Sequence, residues 1–233
     1  MKAVPMNRIV ATTLAAFPLF ASPAASAELE LSLYLGVQSV QDSSVSGTLP
    51  GVGLVNRSID WKGKPFDAPI YYGARAMWWL DNDLGFGIEG THTKAYMSDA
   101  DLNALGLSRF ELSDGHNIFT ANVMKRWPGA FSGKENFTPY VGGGLGVAIP
   151  HVDAQEVGGS VRTYDYEYTG LALRGIAGMK YAINEDWAVF GEYQFTWSDN
   201  SITVDPSPGQ VSAGKLSTDL TTHAVNVGVS YSF

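Results

Sequence analysis

The chain has 233 residues with 15 Lys and Arg against 23 Asp and Glu, a formal net charge of −8. That acidity argues against a nucleic-acid partner, because affinity there rests largely on Lys and Arg contacts to phosphate. The absence of cysteine removes both a disulfide framework and any thiolate metal site, and no segment after residue 27 supplies the 18 consecutive apolar residues of a spanning helix.

In chain order, residues 1–27 read as a cleaved secretory signal peptide. Lys2 and Arg8 give a positive start, an apolar run follows from Ile9 to Phe20, and Ala25-Ser26-Ala27 is a small-x-small cleavage site. Pro18 and Pro23 interrupt the run, which argues against an uncleaved anchor helix. Removing Lys2 and Arg8 leaves 13 basic and 23 acidic residues, a net charge of −10, in one domain over 28–233.

Eight strand-like segments follow. The first, ELELSLYLGVQ, alternates without error, with Leu29, Leu31, Leu33, Leu35 and Val37 on one face. The second and third, residues 70–80 and 84–96, flank the turn Asp81-Asn82-Asp83. The fourth runs from about His116 to Trp127, the fifth from Pro139 to His151 and the sixth from Tyr164 to Tyr181. A short connection with Asn184-Glu185-Asp186 leads to the seventh, Trp187 to Trp197, and the eighth is THAVNVGVSYSF, ending at Phe233.

Connections alternate between short and long, and Trp78, Trp127, Tyr181, Trp187, Tyr231 and Phe233 gather near the short-turn end. Both features belong to an all-β, eight-stranded antiparallel transmembrane β-barrel in the outer membrane, with short periplasmic turns, long outer loops and aromatic girdles. A soluble β-sandwich is the competing architecture. The ending Val229-x-Tyr231-x-Phe233 resembles the signature by which the outer-membrane assembly machinery recognises its barrels, a feature a sandwich has no use for.

A barrel of eight strands has an interior just wide enough for side chains, so it is plugged and not a pore. The alternation puts Glu30, Tyr34, Arg75, Glu89, Asn122, Arg126, Arg174, Glu192 and Gln194 inside, with Arg75 directly across from Glu89. Buried charges must be paired, so Arg75, Glu89, Arg174 and Glu192 read as a scaffold and not as a tuned acid–base pair. The glycines of VGGGLG (141–146) make room for large interior residues and lack the Lys-Ser/Thr of a phosphate loop.

All four histidines fall toward the outer end of their strands. His92, Lys94 and His151 continue outward-facing rows, His116 points inward, and His223 lies farther round the barrel. Imidazole is a common metal ligand and an able acid or base near neutral pH, and Asp153 offers a carboxylate to the face of His151. The ordinary explanation is that polar residues collect at a rim because the bilayer excludes them. No zinc spacing and no nucleophile elbow is present. Arg57, Lys62, Lys64, Lys94, Arg109, Arg162 and Lys215 cluster in or just beneath the outer loops, placed for phosphates or acidic sugars of lipopolysaccharide. Residues 98–107 suit a short helix with Ser98 as N-cap, a lid over the rim.

These residues together resemble the outer-membrane lipid A oxidase family. The resemblance rests on Tyr71-Tyr72-Gly73-x-Arg75 with Trp78-Trp79, GFGIEGTHTK (85–94), Asn117-Ile118, and Asn122-x-Met124-x-Arg126-Trp127. It continues through TPYVGGGLGVAIPHVD (138–153), Phe190-Gly191-Glu192-Tyr193 and Asn226-Val227-Gly228-Val229. Residues 42–66 and 199–217 find no match, and His116 is outside the family pattern.

The resemblance implies conversion of the proximal glucosamine of lipid A to 2-aminogluconate with dioxygen as co-substrate. With no flavin or nicotinamide motif in the chain, a divalent or redox metal held by His92, His151 and Asp153 would supply the electron route. Those three are then the expected catalytic set, with Lys94 and Arg162 holding the substrate in what is expected to be a monomer. The alternatives are a non-enzymatic structural or adhesive barrel and a lipid A acyl hydrolase.

Overall fold

The computed structural model describes residues 28–134, 136–210 and 212–233; the expected leader, 1–27, lies outside them. Twelve strands and one helix follow in order: β1 (Glu28–Val40), β2 (Ser43–Leu49), β3 (Gly53–Ile59), β4 (Trp61–Lys62), β5 (Tyr71–Trp79), β6 (Leu84–Met97), α1 (Asp99–Ala104), β7 (Leu107–Arg126), β8 (Phe137–Glu156), β9 (Arg162–Tyr166), β10 (Gly170–Ala182), β11 (Trp187–Val204) and β12 (Gly214–Ser232).

Eight of these strands form the barrel expected from the sequence. Each pairs antiparallel with the next in the order β1-β5-β6-β7-β8-β10-β11-β12, and β12 pairs back to β1 from Glu30↔Ser232 to Val40↔Thr222. Closure satisfies every strand edge, which an open sheet in lipid could not do. Along β1 the alternation is realised: Leu31, Leu33, Leu35 and Val37 are exposed, while Glu30, Ser32, Tyr34 and Gln38 are buried. The outer wall is a belt of exposed aliphatic and aromatic side chains, among them Ile88, Phe119, Leu145, Leu171 and Val227. Trp78, Trp127, Tyr181, Trp187 and Phe233 are exposed at the end bearing the tight turns and both described termini.

The interior is filled at three levels. Near the tight turns, Met77, Trp79, Met124, Tyr140 and Phe190 form an apolar floor, and the same cluster climbs past the charges to Tyr71 and Ala224. Above it lies the charge network. Arg75 faces Glu89 in the register and bonds it at 3.0 Å, reaches Glu192 at 2.8 Å, and Arg174 meets Glu89 at 3.0 Å, all with side chains sealed from solvent. Asn122 (2.6 Å) and Tyr34 donate to Glu89, Tyr140 donates to Glu192 (2.8 Å), and Gln194 donates to both carboxylates at 2.7 Å. Two positive and two negative charges thus form a neutral, hydrogen-bonded cluster. The glycine run of β8 does make the room expected of it: a Cβ on Gly142 would strike Met124, and one on Gly144 would strike Asn122.

The third level differs from the sequence expectation. Residues 42–66 and 199–217, read as loops, are largely strand. The β2–β3 hairpin joins the upper end of β12 through Val45↔Thr218 to Thr48↔Lys215, β4 adds to β6, and β9 adds to β8. These extensions wrap a second apolar core containing Ile59, Trp61, Phe110, Leu112, Val152, Ile202, Leu216 and Leu220. The short helix α1 forms where expected, capped by Ser98, whose Oγ accepts from the Asp101 amide. Leu102 and Leu105 pack it against this core. Strands run past the bilayer because their inward residues turn apolar there, giving an outer lobe with a core of its own.

Candidate functional site

The outward rows of β6, β7 and β8 meet just above the apolar belt. His92 pairs in register with Tyr72 on one side and Asn117 on the other. Its ring stacks on Tyr72 at 4.8 Å with planes 12° apart, and its Nδ1 lies 3.3 Å from the Asn117 amide oxygen. The β7 strand slips register between Glu111 and His116 as it passes through Gly115, whose φ of 122° suits glycine alone. A side chain at 115 would also meet His92 Nδ1 at 2.8 Å. That irregularity accompanies an exposed Asp114 beside the histidine of the next strand.

His151 is held edge-on by Tyr164 at 4.2 Å and Tyr166 at 4.7 Å, both on β9. Tyr164 Oη donates to Asp114 Oδ2 at 2.7 Å, and that oxygen lies 3.5 Å from His151 Nδ1. The latter separation is an ion-pair distance for a protonated ring but not a formed hydrogen bond. His92 Nε2 and His151 Nδ1 are therefore two buried ring nitrogens without a hydrogen-bond partner, on rings 7 % and 6 % exposed. Tyr72, Tyr164 and Tyr166, each about half-exposed, are what cover them.

The other expected site residues are placed differently. Asp153 is only 2 % exposed and its carboxylate is gripped bidentately by Arg162 (2.6 and 2.6 Å) and by Arg109 (3.1 Å). Lys94 is fully buried, its ammonium donating to the backbone oxygens of Lys64 (2.9 Å) and Asp67 (2.5 Å). As placed, Lys94 is a strut for the 63–70 segment and does not present its charge to a head group. Among the described residues, no three His, Asp or Glu side chains are arranged to share a metal ion. His92 and His151 sit two strands apart with Asn117 and Asp114 between them, and Asp153 is committed to its arginines. The expected His92–His151–Asp153 set is thus not assembled as one ligand group. Arg162 keeps an exposed guanidinium stacked 4.3 Å over Tyr164, which leaves it in reach of an anion.

His116 faces inward, as its phase requires, with Nε2 near Asn200 Oδ1 (3.2 Å) and Ser198 Oγ (3.3 Å). His223 is on the far wall between Tyr193 and Gln41. Sequence reasoning missed Asp114 and the two β9 tyrosines, and it set Arg109 toward an anion where the structure gives it to Asp153. A signal for the latter existed: in RTYDY, period two places Arg162, Tyr164 and Tyr166 on one face.

Burial pushes the Asp153 carboxyl up, but hydrogen bonds from Arg162 and Arg109 outweigh it and hold the group below the usual carboxylate range. A depressed folded pKa contributes stability above the unfolded value, roughly 3.9, and that contribution disappears as pH falls through the folded value. The protection factors of the β9 amides in hydrogen exchange should therefore hold from neutrality to about pH 4 and fall below it. In Asp153→Asn, exchange should already be faster at pH 7, with the acid dependence lost.

The family model described as outer membrane protein beta-barrel domain matches residues 12–233. No curated protein matches the chain in sequence. Among solved structures, Neisserial surface protein A is 14% identical, with 89% of this chain and 97% of that one covered and a TM-score of 0.45. The outer membrane protein AlkL is 14% identical over 98% and 97%, with a TM-score of 0.49. The protease OmpT of Escherichia coli is 9% identical over 88% and 97%, with a TM-score of 0.43.

Proposed function

The chain belongs to the outer membrane protein beta-barrel domain family, and on that premise we propose that it is an outer-membrane enzyme that oxidises the head group of lipid A, converting the proximal glucosamine to 2-aminogluconate with dioxygen. The observation that carries this reading is the pair of outward-facing imidazoles, His92 and His151, each with a buried ring nitrogen lacking a partner, just above the apolar belt. A buried polar atom without a partner costs about 1–3 kcal/mol, so each of these two ring nitrogens gains by taking a hydrogen bond from a bound sugar. The resemblance of the barrel strands to the lipid A oxidases, outside residues 42–66 and 199–217, supports the same reading.

In the reaction, the hemiacetal C1–H and O–H give up two electrons and two protons to dioxygen, forming hydrogen peroxide and a lactone that water opens to the acid. An imidazole is suited to accept the hydroxyl proton near neutral pH. His151 is the better placed, because Tyr164, Tyr166 and Asp114 fix its ring at the edge of the rim. Tyr72, Tyr164 and Tyr166 shield the rings, so a sugar ring gains access by taking a tyrosine's place, while Arg162 offers its free face to a phosphate. A metal held by His92, His151 and Asp153 does not fit the rim as arranged, because Arg109 and Arg162 occupy the Asp153 carboxylate. The enzyme would act as a monomer, exported by residues 1–27. Phe233, 70 % exposed, is available to the assembly machinery.

Mass spectrometry of lipid A from cells with and without the gene tests the reading. The wild-type chain should add one oxygen atom to lipid A, and His151→Ala and His92→Ala should each reduce the oxidised fraction at least tenfold with the barrel still folded. Unaltered lipid A would indicate a structural or adhesive barrel, and loss of acyl chains a hydrolase.

A further inference from the structure

The outer wall of a barrel is convex and normally studded with large side chains, yet this one carries a groove of about 870 Å³ on its lipid-facing side. The groove follows the hydrogen-bonded ladder. Its lower bank is the register row Tyr231–Leu31–Ala76–Ile88–Ala121–Leu145 and its upper bank the row Val229–Leu33–Ala74–Gly90–Phe119. The cause is local: Ala74, Ala76, Gly90 and Ala121, on three neighbouring strands, leave a floor with no bulk. Leu33 and Phe119 stand at its sides, 63 % and 50 % exposed. Phe119 leans over Gly90, so that a Cβ there would meet its ring at 3.2 Å. Five strand steps from Tyr231 to Leu145 make the groove about 24 Å long at ~4.8 Å per step, and it climbs from the turn-end girdle toward the outer half of the wall.

The next ladder row above is Leu35–Tyr72–His92–Asn117. Gly90 thus lies two residues below His92 on the same outward face, and the groove passes directly under the stacked Tyr72–His92 pair. We propose that this groove holds one acyl chain of an outer-leaflet lipid A molecule, so that the chain draws that molecule's sugar to the His92 rim. The occupant follows from continuity, because the groove is part of the apolar belt that the bilayer covers and is open along its length to hydrocarbon. Chain binding stands on the groove, whereas the statement that the bound lipid is also the substrate rests on the oxidase reading.

The test uses the full mature chain reconstituted in vesicles of phosphatidylethanolamine containing lipid A, extracted in mild detergent and weighed by native mass spectrometry. Wild type should retain one lipid A molecule. Ala74→Trp and Ala121→Trp, which fill the floor, should reduce the retained fraction at least tenfold, and the milder Ala74→Leu about threefold. Ala177→Trp, at an exposed position on the opposite wall, should retain lipid as wild type does, and heat-modified gel mobility checks that each variant is folded. Equal retention in Ala74→Trp and Ala177→Trp, no lipid retained by wild type, or preferential retention of phosphatidylethanolamine would each overturn the proposal. His92→Ala separates the two readings: it should still hold lipid A while losing oxidised product. Retention without any oxidation by wild type would sink the oxidase and leave the groove standing; oxidation at an unchanged rate and unchanged retention in Ala74→Trp would do the reverse.

Discussion

Arg174→Met should lower the stability of the folded barrel by about 3–5 kcal/mol, because it strips one partner from a fully buried ion pair, and adding Glu89→Gln should restore more than half of the loss. Arg75, Arg174, Glu89 and Glu192 balance at zero net charge, with the closest approach of each ion pair between 2.8 and 3.0 Å. Removing Arg174 leaves one arginine between two carboxylates in a sealed lumen, where the surplus negative charge has no water to solvate it. Removing the Glu89 charge as well leaves Arg75 and Glu192, which already face each other at 2.8 Å. Urea unfolding in detergent, followed by heat-modified mobility, gives the cycle. If the double variant is as unstable as the sum of the singles, charge balance is not what holds the lumen together.

Trp61→Ala should collapse the outer lobe while sparing the barrel. Trp61 is 3 % exposed, lies against Phe110 with centroids 6.1 Å apart, and donates its indole N–H to Ser43 at 2.8 Å. Truncating a buried Trp costs about 3–5 kcal/mol, a loss concentrated on a small core assembled from β2, β3, β4 and the strand tips. Limited proteolysis should then cut within 43–66 at least tenfold faster, with heat-modified mobility unchanged. Loss of that mobility would show that the lobe and barrel fold as one unit.

The barrel was legible because alternation in a two-faced strand admits one register: shifting ELELSLYLGVQ by a single residue would put Glu30 into lipid. The same rule located Arg75 opposite Glu89 and set His92 and His151 outward. It failed above the bilayer, where both faces of a strand are covered and alternation weakens. The upper ends of β6 and β8 are buried on both faces, whereas in β12 the alternation persists, with Leu216 and Leu220 buried and Lys215, Ser217 and Asp219 exposed, but two leucines among threonines and serines are too few to mark a strand. The site was half legible for a related reason. Histidine positions follow from phase, but their surroundings depend on the register slip at Gly115 and on β9 folding back along β8, contacts between segments whose spacing carries no signal. Asp153 and Lys94 were assigned to chemistry from residue type, and only their partners, two arginines and two backbone carbonyls, reveal their occupation.

The seam between β1 and β12 joins the first and last strands of the barrel, and beyond Val40 the same edge of β12 is taken up by β2. The outer lobe therefore draws on the first and last parts of the described fold and on its middle, so its completion requires β12 to have come alongside β2. A conformation-specific antibody against the lobe would then bind only finished molecules, serving from outside the cell as a gauge of successful insertion.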